Sequence, residues 1–182
     1  MPSESPIMPR TIDPWLSDQL LDIDLDEARR ITQGVLDGYL PYWHRLIYVG
    51  DEVDWSGPHL NDQEWRARIV CFDWLRHAAA VYRDQPDERI AAKSRDLIEQ
   101  WISTQMDGRE WAPTGGISEL PPALRAGNSR FFGWLGALQV FRDSEAWDQA
   151  FIDRMIEAIR VQLNYMADHL VIVANKRVGQ AD

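Results

Sequence analysis

Basic charge, cysteine and long apolar runs are what this sequence has least of, and each shortage removes a class of function. Its 182 residues hold 19 Lys and Arg against 29 Asp and Glu, a formal charge of −10. Nucleic-acid binding draws on clustered cations that displace counterions from phosphate, so no nucleic-acid partner is expected. A local basic pocket for an acidic sugar polymer stays open. The lone cysteine, Cys71, excludes an internal disulfide and a CxxC metal pair, and within "RIVCFDWL" it reads as a buried, inert thiol. No stretch approaches the ~20 apolar residues of a membrane span. The start, "MPSESPIMPRTIDPWLSD", lacks a basic region followed by an apolar one, so no signal peptide and a cytoplasmic location are expected. Glycine-rich nucleotide loops, HExxH and GxSxG are all missing. His44, His59, His77 and His169 have no metal-ligand spacing, and neither a metal nor a cofactor is called for.

Tryptophan, by contrast, is plentiful: nine residues. Most read as core filler. Two or three are expected in a carbohydrate cleft, where an indole face packs on sugar C–H groups. His44 and His59, which flank Trp43 and Trp55, give a faint signal for such a cleft.

Residues 1–25, rich in Pro and acid, read as an extended lead-in, and 26–182 as one domain. A helix is expected from Asp26, with Ala28, Ile31, Val35 and Tyr39 on one face. The segment 40–60 reads as a structured loop with a short strand over Leu46–Val49. Asn61, with Glu64 reaching back, is the expected cap of a continuous helix carrying Trp65, Ile69, Phe72, Leu75, Ala79 and Tyr82. After Pro86-Asp87 comes a helix with Ile90, Leu97, Ile98 and Trp101. A long loop follows, then a helix with Leu124, Phe131, Leu135 and Leu138. Ser144 is the expected cap of the last helix, whose stripe is Trp147, Phe151, Met155, Ile159, Leu163, Met166 and Leu170. Short breaks alternating with long ones suggest an all-α fold of antiparallel helical hairpins, as in a solenoid or an (α/α) toroid.

Two stretches pose a question of chemistry. In "REWAPTGGISELPPALRAGN", Trp111 lies in a Gly-rich loop, and Arg125 and Asn128 share one helical face. Their polar groups need partners, either loop carbonyls or a ligand in a cleft lined by Trp111. In "ANKRVGQAD", Asn175, Lys176 and Arg177 either cap the last helix or open the next helix of a ring. Asp107, Glu110 and Glu119 form the one candidate carboxylate cluster, better explained as solvated loop charge than as a hydrolase pair.

"DQEWRARIVCFDWLRHAA" resembles the Trp-Arg-x-x-Leu-His-x-Phe-Asp-Trp-Leu segment of the heparinase II/III-like polysaccharide lyases. "ALRAGN" is similar to their Ser-x-Arg-x-x-Asn-Trp segment, and "HLVIVANKRVGQAD" to their His-Leu…Asn stretch, in the same order from Asp62 to Asp182. The family's His, Ser and Trp fall at Val70, Ala123 and Ser129. The resemblance implies part of an N-terminal (α/α) toroid and an acidic, uronic-acid-containing polysaccharide or oligosaccharide as partner. It implies β-elimination, in which a neutraliser holds the carboxylate while a base takes the neighbouring proton. Asn175 matches the neutraliser; Arg125, Asn128, Trp111, Lys176 and Arg177 would line the substrate cleft. The family's catalytic Tyr lies further round the toroid and its other His in a β-sandwich, so the expectation is an incomplete ring. Such a chain would be inactive alone, and the uncovered Trp147–Leu170 stripe would favour self-association. The competing reading is a non-catalytic helical module that binds a glycan or a protein.

Overall fold

Helix α1, Leu25–Leu36, begins where Asp24 Oδ1 accepts hydrogen bonds from the Asp26 and Glu27 amides at 2.9 and 3.2 Å. An N-cap carboxylate satisfies amides that have no partner inside the helix. The computed structural model describes residues 23–107 and 127–178, without the side chains of 127–129, 132 and 168–178. Ala28, Ile31 and Val35 are buried along α1 as their spacing requires, whereas Tyr39 has left the helix for a strand.

That strand, β1 (Tyr39–Tyr42), pairs antiparallel with β2 (Arg45–Tyr48), Tyr39 opposite Tyr48 and Tyr42 opposite Arg45. The expected single strand over Leu46–Val49 is thus one arm of a hairpin. Its two-residue turn is Trp43-His44. Helix α2, Gln63–Arg68, is capped by Asp62 rather than Asn61; Asp62 Oδ1 accepts from the Glu64 and Trp65 amides at 2.8 and 3.3 Å. The other carboxylate oxygen takes the Tyr42 hydroxyl at 2.6 Å, which fastens the hairpin to this helix.

The expected continuous helix through Tyr82 is broken. Residues 69–74 form turns, and α3 runs over Leu75–Asp84. The bend depends on Phe72, at φ +58°, and on Gly133, where a Cβ would lie 2.9 Å from the Phe72 carbonyl oxygen. In return the Phe72 ring reaches the centre of the molecule, 5.1 Å from Trp55, 6.0 Å from Trp74, 6.3 Å from Trp101 and 5.6 Å from Trp134.

Helix α4, Glu88–Gln105, starts at the expected place, capped by Asp87, and buries Ile90, Leu97, Ile98 and Trp101. Helix α5 spans Gly127–Phe141 and α6 spans Gln149–Val178. Asp148 Oδ1 accepts from the Phe151 amide at 2.8 Å, the service expected of Ser144. Ser144 instead donates to Glu88 Oε2 at 2.5 Å, and Tyr82 donates to the other oxygen at 2.6 Å. Helix α3 packs between α1 and α5, while α4 lies against α1, α3 and α6. The chain is therefore all-α apart from its one described hairpin, with α3–α4 and α5–α6 as neighbouring pairs.

The stripe of α6 is covered over its first half, down to Ile159. Trp147, Phe151, Met155 and Ile159 are buried, and the Trp147 indole donates to the Ala91 carbonyl at 2.9 Å. The expected uncovered face is therefore closed by α4 down to Ile159. One turn on the stripe changes phase: Leu163 is 48% exposed while Gln162 is fully buried. Gln162 Oε1 accepts from Arg130 Nε at 3.1 Å, so a buried guanidinium sets which face of α6 turns inward. Among the described residues no helix is long and apolar enough to cross a membrane.

Candidate functional site

A cleft of about 220 Å³ opens between the hairpin and the broken helix. Ile31, Leu40 and Ile69 line its depth, and Trp43, Arg68, Asp73 and His77 bring its chemistry. Each comes from a different local cause. The hairpin turn carries Trp43 outward; Arg68 ends α2; the bend presents Asp73; and the first turn of α3 supplies His77.

Trp43 is the unusual member. It is 62% exposed and sits at φ +54°, a left-handed conformation costing a bulky residue roughly 1–2 kcal/mol. The first position of a two-residue hairpin turn is where Gly, Asn or Asp serves without strain. A large apolar side chain is held in water, on strained backbone, beside a cleft. The Arg68 guanidinium lies 5.5 Å over its ring, within the range of a cation–π contact.

The polar rim is balanced in charge. Arg68 Nη1 lies 3.4 Å from Asp73 Oδ2, and its Nε 3.5 Å from Glu64 Oε1. Burial, assisted by the neighbouring Arg76, holds the His77 imidazole below its ordinary 6.5, so it is neutral at neutral pH. Glu27, on the facing helix, is occupied by a two-pronged bond from Arg30, both contacts 2.6 Å, which holds its carboxyl low. The Tyr42 hydroxyl is pushed up by its bond to Asp62 and remains protonated. The cleft therefore offers an apolar face, donors and acceptors, and no surplus positive charge.

A second polar centre lies deeper. Arg130 donates to the Val70 carbonyl at 2.9 Å and to Gln162, and lies 4.1 Å over the Trp101 ring. Burial lowers this guanidinium to about 9, which leaves it charged at neutral pH. Its bond to Val70 fixes the bend on which Asp73 and Trp74 approach the cleft.

Of the residues singled out from sequence, Trp111 and Arg125 lie outside the described residues. Asn128 stands in the first turn of α5, and Asn175, Lys176 and Arg177 in the last turn of α6, with their side chains outside the described set. Asn175 thus lies within the last turn of the helix that runs from Gln149 to Val178 and does not open another. In the carboxylate cluster, Asp107 accepts from Arg154 Nη2 at 2.7 Å, and Glu110 and Glu119 are outside the described residues. Of the four histidines, His77 lines the cleft although His44 and His59 carried the sequence signal. Arg68, Asp73 and His77 were obscured because a continuous helix would have scattered them, whereas Trp43 was noted only as a neighbour of His44. The available signal was "PYWHR", an aromatic strand end beside a two-residue turn. Among the described residues no group of three or more His, Cys, Asp or Glu could hold a metal ion.

No family model matches the sequence, and no curated protein matches it. A solved structure that it resembles is the crystal structure of heparan sulfate lyase HepC from Pedobacter heparinus, with 16% sequence identity and a TM-score of 0.67. The likeness covers 92% of this chain and 25% of that one, so the chain spans about a quarter of the lyase's length. At that identity it is a likeness of fold alone, an all-α fold shared with about a quarter of that lyase.

Proposed function

We propose that the chain is the N-terminal part of a polysaccharide lyase, a portion of an (α/α) toroid that holds a uronic-acid-containing glycan for β-elimination. The observation that supports this best is the fold shared with HepC over 92% of the chain. Fold alone does not carry function. The three motif-like segments in family order and an aromatic cleft on the same scaffold add to it. In this reading Asn175 donates a hydrogen bond to the enediolate that forms as the proton beside the carboxylate leaves. In the same reading Trp111, Arg125 and Asn128 bind the glycan near Asn175, apart from the Trp43 cleft, and Lys176 and Arg177 add positive charge there. Proton transfer falls to a Tyr and a His that the three segments do not include, so this reading assigns no base among the residues named here.

The test is the product of the complete reading frame, incubated with uronate polymers while the ultraviolet absorbance of the unsaturated uronate is followed. Absorbance should rise, and Asn175→Ala should cut the rate about 10²-fold or more, the usual cost of one donor to a developing oxyanion. New reducing ends without unsaturation would assign a hydrolase instead. Retention of polymer without any product would assign a binding module, the reading that the exposed Trp43 favours.

A further inference from the structure

We infer that the Trp43 cleft is a subsite for an uncharged pyranose ring, separate from the place where a carboxylate would be neutralised. The inference rests on the glycan reading above but not on the lyase chemistry.

Three observations carry it. First, the indole. Trp43 gains little burial where it stands, and its backbone is strained. Strain held at an exposed position is found where a site needs the side chain. An exposed indole face beside a cleft packs against the axial C–H groups of a sugar ring. Second, the size. Roughly 300–1,000 Å³ accommodates a drug-sized ligand, whereas this cleft, at about 220 Å³, takes a single ring. Third, the charge. Arg68 is matched by Asp73 and Glu64, and His77 is neutral at neutral pH. A sulfate or carboxylate placed here would meet Asp73 as well as Arg68, whose charge Glu64 also offsets from outside the cleft, on a protein whose formal charge is −10. A hydroxyl finds the opposite situation. Arg68 N–H groups donate to its oxygen and the Asp73 carboxylate accepts its proton, so both halves of the ion pair are used.

In a uronate polymer the ring held here would be a neighbour that bears no charge. The Trp43 cleft would thus read the spacing of charge along the glycan, gripping uncharged rings and leaving the carboxylate to another part of the molecule.

Ligand-observed saturation-transfer NMR tests this with three single-ring probes, the methyl glycosides of glucose, N-acetylglucosamine and glucuronic acid. Two variants are compared with the unaltered chain. Trp43→Asn suits the left-handed turn and keeps the fold. Tyr48→Ser removes an equally exposed aromatic that does not line the cleft. At least one neutral glycoside should receive transfer. The signal should fall about fivefold or more in Trp43→Asn, stay in Tyr48→Ser and persist in molar salt, which screens charge. The glucuronide should receive less. A preference for the glucuronide that salt abolishes would overturn the inference. So would a neutral signal indifferent to Trp43→Asn, or no transfer from any probe. None of these outcomes depends on eliminative cleavage, so failure here leaves the lyase assay to be decided separately.

Discussion

Arg130 is a buried cation held by carbonyl oxygens and an aromatic face, with Val70, Gln162 and Trp101 as its described neighbours. Removing one partner of such an arrangement costs more than the arrangement itself contributes, because the acceptors left behind are dry. Arg130→Ala should therefore destabilise the fold by about 3–5 kcal/mol in urea unfolding. Arg130→Lys should recover less than half of that, since an ammonium cannot reach both oxygens while lying flat on the indole. The loss should be the same at about pH 6 and pH 8, because the group is charged throughout that range. A loss below ~1 kcal/mol would show that the bend at Val70 stands without it.

The bend itself belongs to the scale of elements. Gly34 and Gly133 are the described glycines where a Cβ would come closer than 3.0 Å to a neighbour, and their surroundings differ. At Gly133 the obstacle is the Phe72 carbonyl oxygen at 2.9 Å, part of a backbone that cannot give way. At Gly34 it is the tip of Leu46, 2.7 Å away on a side chain that can rotate. Gly133→Ala should cost about 1–3 kcal/mol by forcing α5 off the bend. Gly34→Ala should come within ~1 kcal/mol of neutral, since helix propensity offsets the crowding. Equal urea midpoints for the two variants would contradict this. The same bend marks the limit of what the sequence discloses. The apolar period made α1, α4 and the early part of α6 legible, since each has one buried face. Ile69, Phe72 and Leu75 satisfy the helical period as well as they satisfy a bend, and the residue that permits the bend, Gly133, lies on another helix. The hairpin was half visible as a strand. Its Trp43 turn was hidden because Trp is the wrong residue for that conformation, which is the reason it draws notice once seen. Asn175 was legible as an isolated amide; its helix, continuous from Gln149, was not, since the polar run after Val173 reads equally as a terminus.

For the molecule as a whole, acid should act in two stages. The unfolded chain binds a proton at His77 near 6.5, while the folded chain, where burial lowers that group, does not. Stability therefore begins to fall as pH drops through that value. Glu88, held low by the Ser144 and Tyr82 hydroxyls, and Asp51, held low by Lys93, contribute stability that is present above their ordinary 4.5 and 3.8. That part is lost only as pH falls further, through their folded values. Urea midpoints measured from about pH 7 to pH 3 should show a shallow early decline and a steeper late one. His77→Gln should erase the first and leave the second. A decline confined to the acid end in the unaltered protein would mean that His77 titrates alike in both states.

The ring cluster around Phe72 has an optical consequence. Trp55, Trp74, Trp101 and Trp134 gather about one phenyl ring, and the Trp101 and Trp134 centroids are 5.5 Å apart. At such separations excitation passes from indole to indole before it is emitted, so the glow of the core belongs to the assembly and not to any one chromophore. Trp43, alone in water among the described tryptophans, should emit at longer wavelength than they do. The described tryptophans therefore offer two colours, one that reports whether the core is assembled and one that reports what lies against the hairpin turn.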